Sequence, residues 1–291
     1  GIPATVLDAF PLEFPAGSMM WFRTSALRPL FEANLDWADF PAEDSQKNGT
    51  LAHVIERLFF YIAHQQQQRY QAVRPAAPME CFSPYISPDE SVHRTWPASQ
   101  KPRVSIIIPV YNQWAYTRAC LNAIADFTDP EHTPYEVILA DDGSTDETRQ
   151  ASKQYPQLIQ VQTPENLGFL GNCNHAARTA TGEFLVLLNN DTQVQPGWLD
   201  ALIDTFESHP DAAIVGSKLL YPDGSLQEAG GVVWHNAGGL NYGRNQNPAQ
   251  PEYSYLKPVD YISGAAIAVR HDFWRARGGF DERFIPAYYE D

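Results

Sequence analysis

Four short polar segments of the sequence each follow an apolar run, and their side chains could bind a phosphorylated ligand. They are 109–112 (PVYN), 141–147 (DDGSTDE), 165–174 (ENLGFLGNCN) and 189–192 (NNDT). The last is the most unusual, because FLVLL leads directly into two amides and the carboxylate of Asp191. A carboxylate at the end of a buried strand is a hard oxygen ligand, suited to a Mg²⁺ or Mn²⁺ ion that carries diphosphate oxygens.

The other three segments suit the nucleoside part of such a ligand. A carboxylate such as Asp141 can accept from the ring N–H of a pyrimidine, and amides such as Asn166 and Asn174 can hold a ribose. Each segment alone also has a purely structural explanation. Asp142-Gly143, for example, is a common turn dipeptide. Their occurrence at successive strand ends favours a nucleotide site.

Charge and missing motifs narrow the class of ligand. The formal net charge is −15, which disfavours nucleic acid and anionic membrane surfaces as partners. Neither a GxGxxG fingerprint nor a GxxxxGK[ST] loop follows the first apolar run, so dinucleotide binding and Walker-type binding are disfavoured. A small phosphate ester would need a local positive charge, and a divalent metal held by a carboxylate supplies one.

The elements that must position these segments alternate between short apolar runs and amphipathic stretches. We predict strands at 104–110, 135–140, 158–162 and 183–188, and helices at 114–126, 147–155, 168–180 and 197–209. This alternation predicts βαβ units and a parallel sheet, whose ligands bind outside the carboxyl ends of the strands. No apolar stretch approaches the ~18 residues that would span a bilayer, so we predict no transmembrane segment.

The 291 residues suggest two domains joined by a linker. Residues 76–101 are rich in proline and lack periodicity, which is typical of a linker. Apolar residues at helical spacing predict an amphipathic helix over 48–68. We therefore expect a mainly helical segment at 1–75 and a larger domain at 102–291.

The chain ends and the cysteines carry further expectations. The first residues lack an initiator methionine and a signal-peptide pattern, which predicts a piece of a longer protein. Three cysteines without CxxC spacing argue against a disulfide framework and favour a reducing, cytoplasmic compartment.

Taken in order, five segments resemble those of bacterial family 2 glycosyltransferases over residues 101–291. They read VSIIIPVYN, DDGSTDET, NLGFLGNCN, LLNNDTQVQPGWL and GGFDERFIPAYYED. The resemblance implies a GT-A fold, which is a Rossmann-like α/β fold with a mainly parallel sheet and flanking helices. In this chain a small helical N-terminal segment precedes that domain. The resemblance also implies a nucleotide-diphosphate sugar donor, a divalent metal (Mn²⁺ or Mg²⁺) and a glycan or lipid-linked glycan acceptor.

The same resemblance assigns roles to individual residues. The implied nucleotide-binding residues are Pro109, Tyr111, Asn112, Asp141, Asp142, Gly143, Asn166, Gly168, Asn174, Asn189 and Asn190. Asp191 matches the metal carboxylate of the DxD motif, and Asp291, next to Glu290, matches the catalytic base. Two features depart from the family pattern. Asn189 replaces the first DxD carboxylate, and the chain stops at Asp291, so we expect a weak metal site and an incomplete acceptor site.

Two further stretches resemble rhamnose-related proteins. LLYPDG, EAGG and NYGR resemble a rhamnosyltransferase-like branch, and Trp234, Tyr242, Arg244 and Gly264 are its candidate sugar or acceptor residues. An ordinary hairpin with a surface loop explains the same stretch equally well. FPAGSMMWFRTSALRPL, LDWADFP and NGTLAHVIERL resemble the closing part of rhamnan synthesis protein F domains.

The sequence therefore predicts an inverting, metal-dependent glycosyltransferase of surface polysaccharide or O-antigen synthesis, with dTDP-rhamnose as the candidate donor. We expect it in the cytoplasm, with any attachment to the inner face of the plasma membrane made through parts outside this chain. One alternative is a sugar nucleotidyltransferase, disfavoured because no glycine-rich triphosphate loop follows the first strand. The other is a catalytically incomplete carbohydrate- or nucleotide-binding module, motivated by Asn189.

Overall fold

The computed structural model describes residues 28–33, 94–235 and 238–284. The chain divides into two compact units, Gly1–Pro75 and Ala76–Asp291. In the first unit the described residues form helix α1, Arg28–Glu32. The helix predicted over 48–68, most of the predicted linker, and the candidate catalytic pair Glu290 and Asp291 lie outside the described residues.

The second unit contains the remaining described elements. Its strands are β1 Val104–Val110, β2 Tyr135–Asp141, β3 Ile159–Gln162, β4 Phe184–Leu188, β5 Ile214–Gly216, β6 Leu219–Leu220, β7 Leu226–Glu228, β8 Gly231–Val233, β9 Gly239–Asn241 and β10 Ala266–Arg270. Its α-helices are α2 Trp114–Phe127, α3 Ala151–Gln154, α4 Gly168–Ala177, α5 Trp198–Ser208 and α6 His271–Arg277. Short 3₁₀ helices cover Glu147–Gln150, Pro251–Tyr253 and Glu282–Phe284.

Six of these strands form one sheet in the order β3-β2-β1-β4-β10-β5. The neighbouring strands β3, β2, β1 and β4 are all parallel, whereas β10 runs antiparallel to both β4 and β5. The predicted α/β fold with a mainly parallel sheet is confirmed. Because β1 to β4 are parallel neighbours, the four polar segments that follow them lie at one edge of the sheet.

The apolar strands are continuous runs because the sheet is covered on both faces. In β1 every residue is buried, with Ile106 and Ile108 in one core cluster and Ile107 in the other. Leu121 of α2 and Phe206 of α5 belong to the first cluster. Helices α4 and α6 contribute to the second cluster. Two-sided burial of a parallel sheet selects apolar residues at every position rather than at alternate ones.

The described end of the predicted linker, residues 94–101, is part of the second unit and packs against its other elements. Trp96 is 6% exposed and stacks on Tyr155, with ring centroids 5.8 Å apart. The backbone N–H of Arg94 donates to Asn122 Oδ1 at 3.0 Å.

Two features differ from the sequence prediction. The helix predicted over 147–155 is split at Gln150, whose φ of −115° and ψ of 15° lie outside the α-helical region, into a 3₁₀ helix capped by Asp146 and the short α3. Strand β10, which the βα alternation did not predict, joins the sheet after two small antiparallel hairpins. None of the helices described is long and apolar enough to cross a membrane.

Candidate active site

Asp142, directly after β2, holds the loop that leads into α4. Its Oδ1 accepts from Leu167 N at 2.8 Å and from Thr163 Oγ1 at 3.0 Å, and its Oδ2 accepts from Gly168 N at 2.9 Å. The residue is only 3% exposed. Hydrogen bonds to a charged acceptor are stronger than neutral ones, so this carboxylate fixes the shape of the loop.

Asp141, the last residue of β2, is also used inside the protein. Its Oδ1 accepts from Ser144 N at 2.9 Å, while Oδ2 accepts from Gln162 Nε2 at 2.9 Å and Gln160 Nε2 at 3.2 Å. The residue is 1% exposed. Neither glutamine was predicted from the sequence, although their alternate positions in β3 place them on one face of the strand. Binding of a nucleobase by Asp141 stays a prediction.

Asn112 ties the end of β1 to the loop after β2. Its Oδ1 accepts from Thr145 N at 2.7 Å, and its backbone N–H donates to Ser144 Oγ at 2.8 Å. Asn112 and Gln113 both have left-handed backbones, with φ of 59° and 62°. Such conformations are costly outside glycine, and these hydrogen bonds offset part of the cost.

Asp146 completes this connection between the two loops. Its Oδ2 accepts from Trp114 N at 3.0 Å, and its Oδ1 accepts from Thr148 N at 3.0 Å. Partial burial acts to raise the pKa of Asp146, but the hydrogen bonds from Thr148 and Trp114 outweigh it and lower that pKa below its ordinary value. A cavity of about 450 Å³ borders these residues and is lined by Asn112, Gln113, Trp114, Ala115, Arg118, Asp146 and Glu147.

Three more predicted nucleotide residues lie in or beside this network. Pro109 is buried in β1 opposite Ala140 of β2, whereas Tyr111 is 54% exposed at the end of β1. Gly143 has a φ of 76°, which suits glycine in the turn between Asp142 and Ser144. Tyr111 is thus the exposed ring at this part of the sheet edge.

Hydrogen bonds to neighbouring segments anchor the turn after β4, and the turn leaves one carboxylate exposed. Asn189 N donates to Ala265 O at 3.0 Å, and Asn189 O accepts from Thr192 Oγ1 at 2.6 Å. Asn190 Nδ2 donates to Thr117 Oγ1 of α2 at 3.0 Å. Asp191, between these anchored residues, is exposed.

Cys120 of α2 lies behind the same turn. Its Sγ is 3.8 Å from Asn189 O. Burial raises the pKa of the Cys120 thiol to about 12, and the charge of Asp191 acts in the same direction. The thiol is therefore protonated at neutral pH.

The donors at this turn fit a hard divalent ion. Within residues 28–33, 94–235 and 238–284, no group of three or more His, Cys, Asp or Glu side chains could hold a metal. Mg²⁺ commonly uses one or two carboxylates and takes its other ligands from phosphates and water. Asp191 with the amide oxygens of its neighbours is compatible with that kind of site.

Asn166 and Gly168 lie in the loop that Asp142 holds, whereas the side chain of Asn174 contacts the backbone of Phe280. Asn166 is exposed, and its Oδ1 accepts from Gly168 N at 3.0 Å. Asn174 bonds to the backbone of Phe280, with Nδ2 donating to Phe280 O and Phe280 N donating to Oδ1, both at 2.9 Å. Nucleotide binding by these three residues stays a prediction.

Three of the four predicted sugar or acceptor residues lie in or just after the two hairpins, and Gly264 lies just before β10. Trp234 is 57% exposed beyond β8. Tyr242 has Lys257 Nζ 3.6 Å from its ring centroid, and Arg244 Nε donates to Tyr221 OH at 2.9 Å. The Pro-Asp-Gly segment forms the turn between β6 and β7, where Tyr221 N donates to Ser225 O at 2.8 Å. Trp234 is the most exposed aromatic side chain of this group.

Glu228 is a buried carboxylate that the sequence analysis did not assign. It is 1% exposed in β7, and its Oε1 accepts from Ser263 N at 3.3 Å. Gly264 follows Ser263 and is buried, and the next residue, Ala265, accepts from Asn189 N. Glu228 thereby supports the segment that contacts the Asp191 turn. The sequence feature that could have identified Glu228 is its position as the single acidic residue in the mainly apolar stretch LQEAGGVV.

The parallel sheet and the polar network at its carboxyl edge define a Rossmann-like α/β protein with a strand-end site. Residues 105–264 match the family model described as Glycosyl transferase family 2, and the chain belongs to that family. Residues 5–68 match the model described as Rhamnan synthesis protein F. These matches confirm both predicted resemblances, and the GT-A fold class is confirmed with them.

Curated relatives include the O-antigen biosynthesis protein RfbC of Myxococcus xanthus, 31% identical over 198 residues, which cover 65% of this chain and 15% of RfbC. The N-acetylglucosaminyl-diphospho-decaprenol L-rhamnosyltransferase of Mycobacterium tuberculosis is 33% identical over 186 residues, 54% of this chain and 59% of that protein. The chain thus spans only part of the length of these relatives.

Among solved structures, the fold is similar to that of the mannosyltransferase PcManGT from Pyrobaculum calidifontis, which was determined in complex with GDP-Man and Mn²⁺. The TM-score is 0.45 at 21% identity, over 66% of this chain and 51% of that chain.

Proposed function

We propose that this chain is an inverting glycosyltransferase that moves a sugar from a nucleotide-diphosphate donor to a glycan or lipid-linked glycan acceptor. One observation carries the proposal. In a chain of family 2, hydrogen bonds join the polar segments after β1, β2 and β3, while the neighbouring segment after β4 presents Asp191 to solvent. This arrangement offers a nucleotide site with one carboxylate free to hold a metal.

The loops around Asp142 would hold the nucleoside. Tyr111 offers an exposed ring face for a base, and Asn166 offers an exposed amide for polar groups of the ligand. Asp142 would contribute through the loop that it shapes, because its two oxygens accept from three groups within the protein.

Asp191 would hold a Mn²⁺ or Mg²⁺ ion, and the donor's diphosphate would supply further oxygen ligands. When bound, the ion would offset the diphosphate charge and stabilise the diphosphate as it departs. With a net charge of −15, the protein should bind a bare diphosphate poorly, which also supports a metal requirement. Replacement of the first DxD carboxylate by Asn189 favours a weakly held ion.

The transfer step requires a base on the side of the sugar opposite the diphosphate. The acceptor hydroxyl oxygen bonds to the anomeric carbon while the bond from that carbon to the diphosphate oxygen breaks, and a carboxylate takes the hydroxyl proton. The family resemblance assigns this role to Asp291, beside Glu290. Both residues lie outside the described part of the chain.

The relatives support a rhamnose-containing product. One is named as an L-rhamnosyltransferase and another as an O-antigen biosynthesis protein, and residues 5–68 match a rhamnan synthesis protein. We therefore propose dTDP-rhamnose as donor and surface polysaccharide as product. Cys120 and Cys173 are buried and are not joined in a disulfide, which supports a reducing, cytoplasmic compartment for this activity.

The test is product analysis with labelled dTDP-rhamnose, UDP-GlcNAc and GDP-mannose, each with Mn²⁺ and a lipid-linked N-acetylglucosamine acceptor. We expect a nucleoside diphosphate and a glycosylated acceptor, and no product from the Asp191→Asn variant. Release of pyrophosphate from nucleoside triphosphate and sugar phosphate would instead identify a nucleotidyltransferase. Nucleotide binding without turnover of any donor would identify a binding module.

A further inference from the structure

Asn174 makes a reciprocal pair of hydrogen bonds with a single distant residue. Its side-chain amide donates to Phe280 O and accepts from Phe280 N, each at 2.9 Å, across 106 residues of sequence. Two bonds to one residue fix both its position and its orientation, which a single bond does not. The contact therefore holds the chain at Phe280 in a defined place relative to α4.

The segment before Phe280 is built to permit this contact. Gly278 and Gly279 both have positive φ, 83° and 88°. A Cβ at Gly279 would overlap Asn174 Oδ1, whereas a Cβ at Gly278 would meet nothing within 4 Å. Glycine is thus required at position 279 by its contact with Asn174 as well as by its backbone conformation.

Side-chain packing holds Phe280 against the same helix. Its ring is 7% exposed, with its centroid 5.9 Å from that of Phe169 in α4 and 4.9 Å from that of Trp274 in α6. Phe169 and Asn174 belong to one helix, so α4 contacts Phe280 through an aromatic ring and an amide. Loss of the amide alone would leave the ring contact in place.

Helix α4 connects this contact to the strand-end site. The helix begins at Gly168, whose N–H donates to Asp142 Oδ2. Seven residues of sequence, 285–291, follow Phe284 and end in Asp291, the candidate base. One rigid helix thereby joins the proposed nucleotide loop to the segment that leads to the proposed base.

We propose that Asn174 is a positioning residue, which fixes the C-terminal segment for sugar transfer and does not bind the nucleotide. This inference rests on the proposed function, because the segment matters for transfer only if it carries the base. It replaces the role in the nucleoside pocket that the family resemblance implied for Asn174.

The test compares four proteins: the unmodified chain, Asn174→Leu, Gly279→Ala and the matched control Gly278→Ala. Gly279→Ala disrupts the contact through overlap of the new Cβ with Asn174 and leaves the residues of α4 unchanged. Gly278→Ala has a similar backbone strain without the overlap. Three quantities are measured on each: hydrogen exchange of the Phe280 amide, dTDP affinity with Mn²⁺ by calorimetry, and kcat and KM for transfer.

We expect both variants to speed exchange of the Phe280 amide by about tenfold or more, because Asn174→Leu removes its acceptor and Gly279→Ala displaces that acceptor. Their kcat should fall by about a hundredfold through misplacement of the base, while dTDP affinity and donor KM stay unchanged. Gly278→Ala should match the unmodified chain in exchange at Phe280 and in kcat.

Other results would overturn the inference. A large loss of dTDP affinity in Asn174→Leu with unchanged Phe280 exchange would make Asn174 a nucleotide ligand. Faster exchange with unchanged kcat would make the contact purely structural. If the unmodified chain transfers no sugar, the proposed function and the positioning role fail together, and exchange and affinity still decide whether Asn174 binds the nucleotide.

Discussion

The ends of β2 and β4 both place carboxylates at the end of a largely buried, mainly apolar strand, yet the two sites differ in what surrounds those carboxylates. Asp141 and Asp142 are 1% and 3% exposed, and all four of their oxygens accept hydrogen bonds from protein groups. Asp191 is exposed, and the anchoring bonds of its turn come from Asn189 and Asn190 instead. A strand-end carboxylate can therefore shape a site or face its ligand.

Sheet position explains this difference. Strand β2 lies between β1 and β3, so glutamines of β3 and the loop into α4 reach its terminal carboxylates. Strand β4 lies between β1 and the antiparallel β10, which begins beside the end of β4 at Ala266. Just before β10, the backbone oxygen of Ala265 accepts a hydrogen bond from Asn189 N, and Asp191 remains exposed.

The largest expected effect is that of Asp142→Asn on stability. An amide presents an NH₂ group where the carboxylate accepted hydrogen bonds, so at least one of Leu167 N and Gly168 N loses its acceptor. Hydrogen bonds to charged groups contribute about 1.5–3 kcal/mol each, so the free energy of unfolding should fall by about 3 kcal/mol. Urea denaturation measures it.

The control for this variant is Asp211→Asn at an exposed position, which should change stability by about 0.5 kcal/mol or less. If Asp142→Asn is as mild as this control, the β2 end does not depend on its carboxylates, and the contrast with β4 disappears.

An intermediate effect is expected for Gly168→Ala, paired with Gly197→Ala. Both glycines have similar positive φ, 73° and 74°, and a Cβ at either would meet nothing within 4 Å. Each variant should lose about 1–2 kcal/mol through backbone strain. Because Gly168 donates to Asp142, only Gly168→Ala should also weaken nucleotide binding. Equal nucleotide affinities in the two variants would argue against the proposed role of the Asp142 loop.

The smallest effect concerns the pH dependence that Asp146 contributes. Its pKa is lowered in the folded protein, by hydrogen bonds that outweigh the effect of partial burial. A depressed folded pKa stabilises the protein above the unfolded pKa, about 3.9, and this stabilisation is lost as pH falls through the folded value. The stability difference between the unmodified protein and Asp146→Asn should therefore shrink from pH 7 to pH 3 in urea titrations. A constant difference would show that the charge of Asp146 is not involved.

Much of the fold could be predicted from the sequence, because buried parallel strands have a strong local signal. VSIIIPV matches β1, and the predicted helix over 114–126 ends one residue before α2 does. Strand β10 depends on pairing with strands distant in sequence, and the split of the helix predicted over 147–155 depends on the non-helical backbone of Gln150. Local periodicity contains neither.

The sequence predicted which strand ends form the site, but not which of their carboxylates bond within the protein and which one is exposed. Sequence alone placed Asp141, Asp142 and Asp191 at one edge of the sheet, which the topology confirms. It could not show which of them meets internal donors, because Gln160 and Gly168 come close to the β2 end only through folding.

The most direct test of the account is a calorimetric titration of dTDP into three proteins: the unmodified chain, Asp191→Asn and the exposed control Asp211→Asn. Each is measured with Mn²⁺ and with EDTA. We expect binding by the unmodified chain and by Asp211→Asn only with Mn²⁺, no binding by Asp191→Asn, and equal melting temperatures of all three proteins without ligand. Binding of equal affinity in EDTA, or undiminished Mn²⁺-dependent binding by Asp191→Asn, would contradict it.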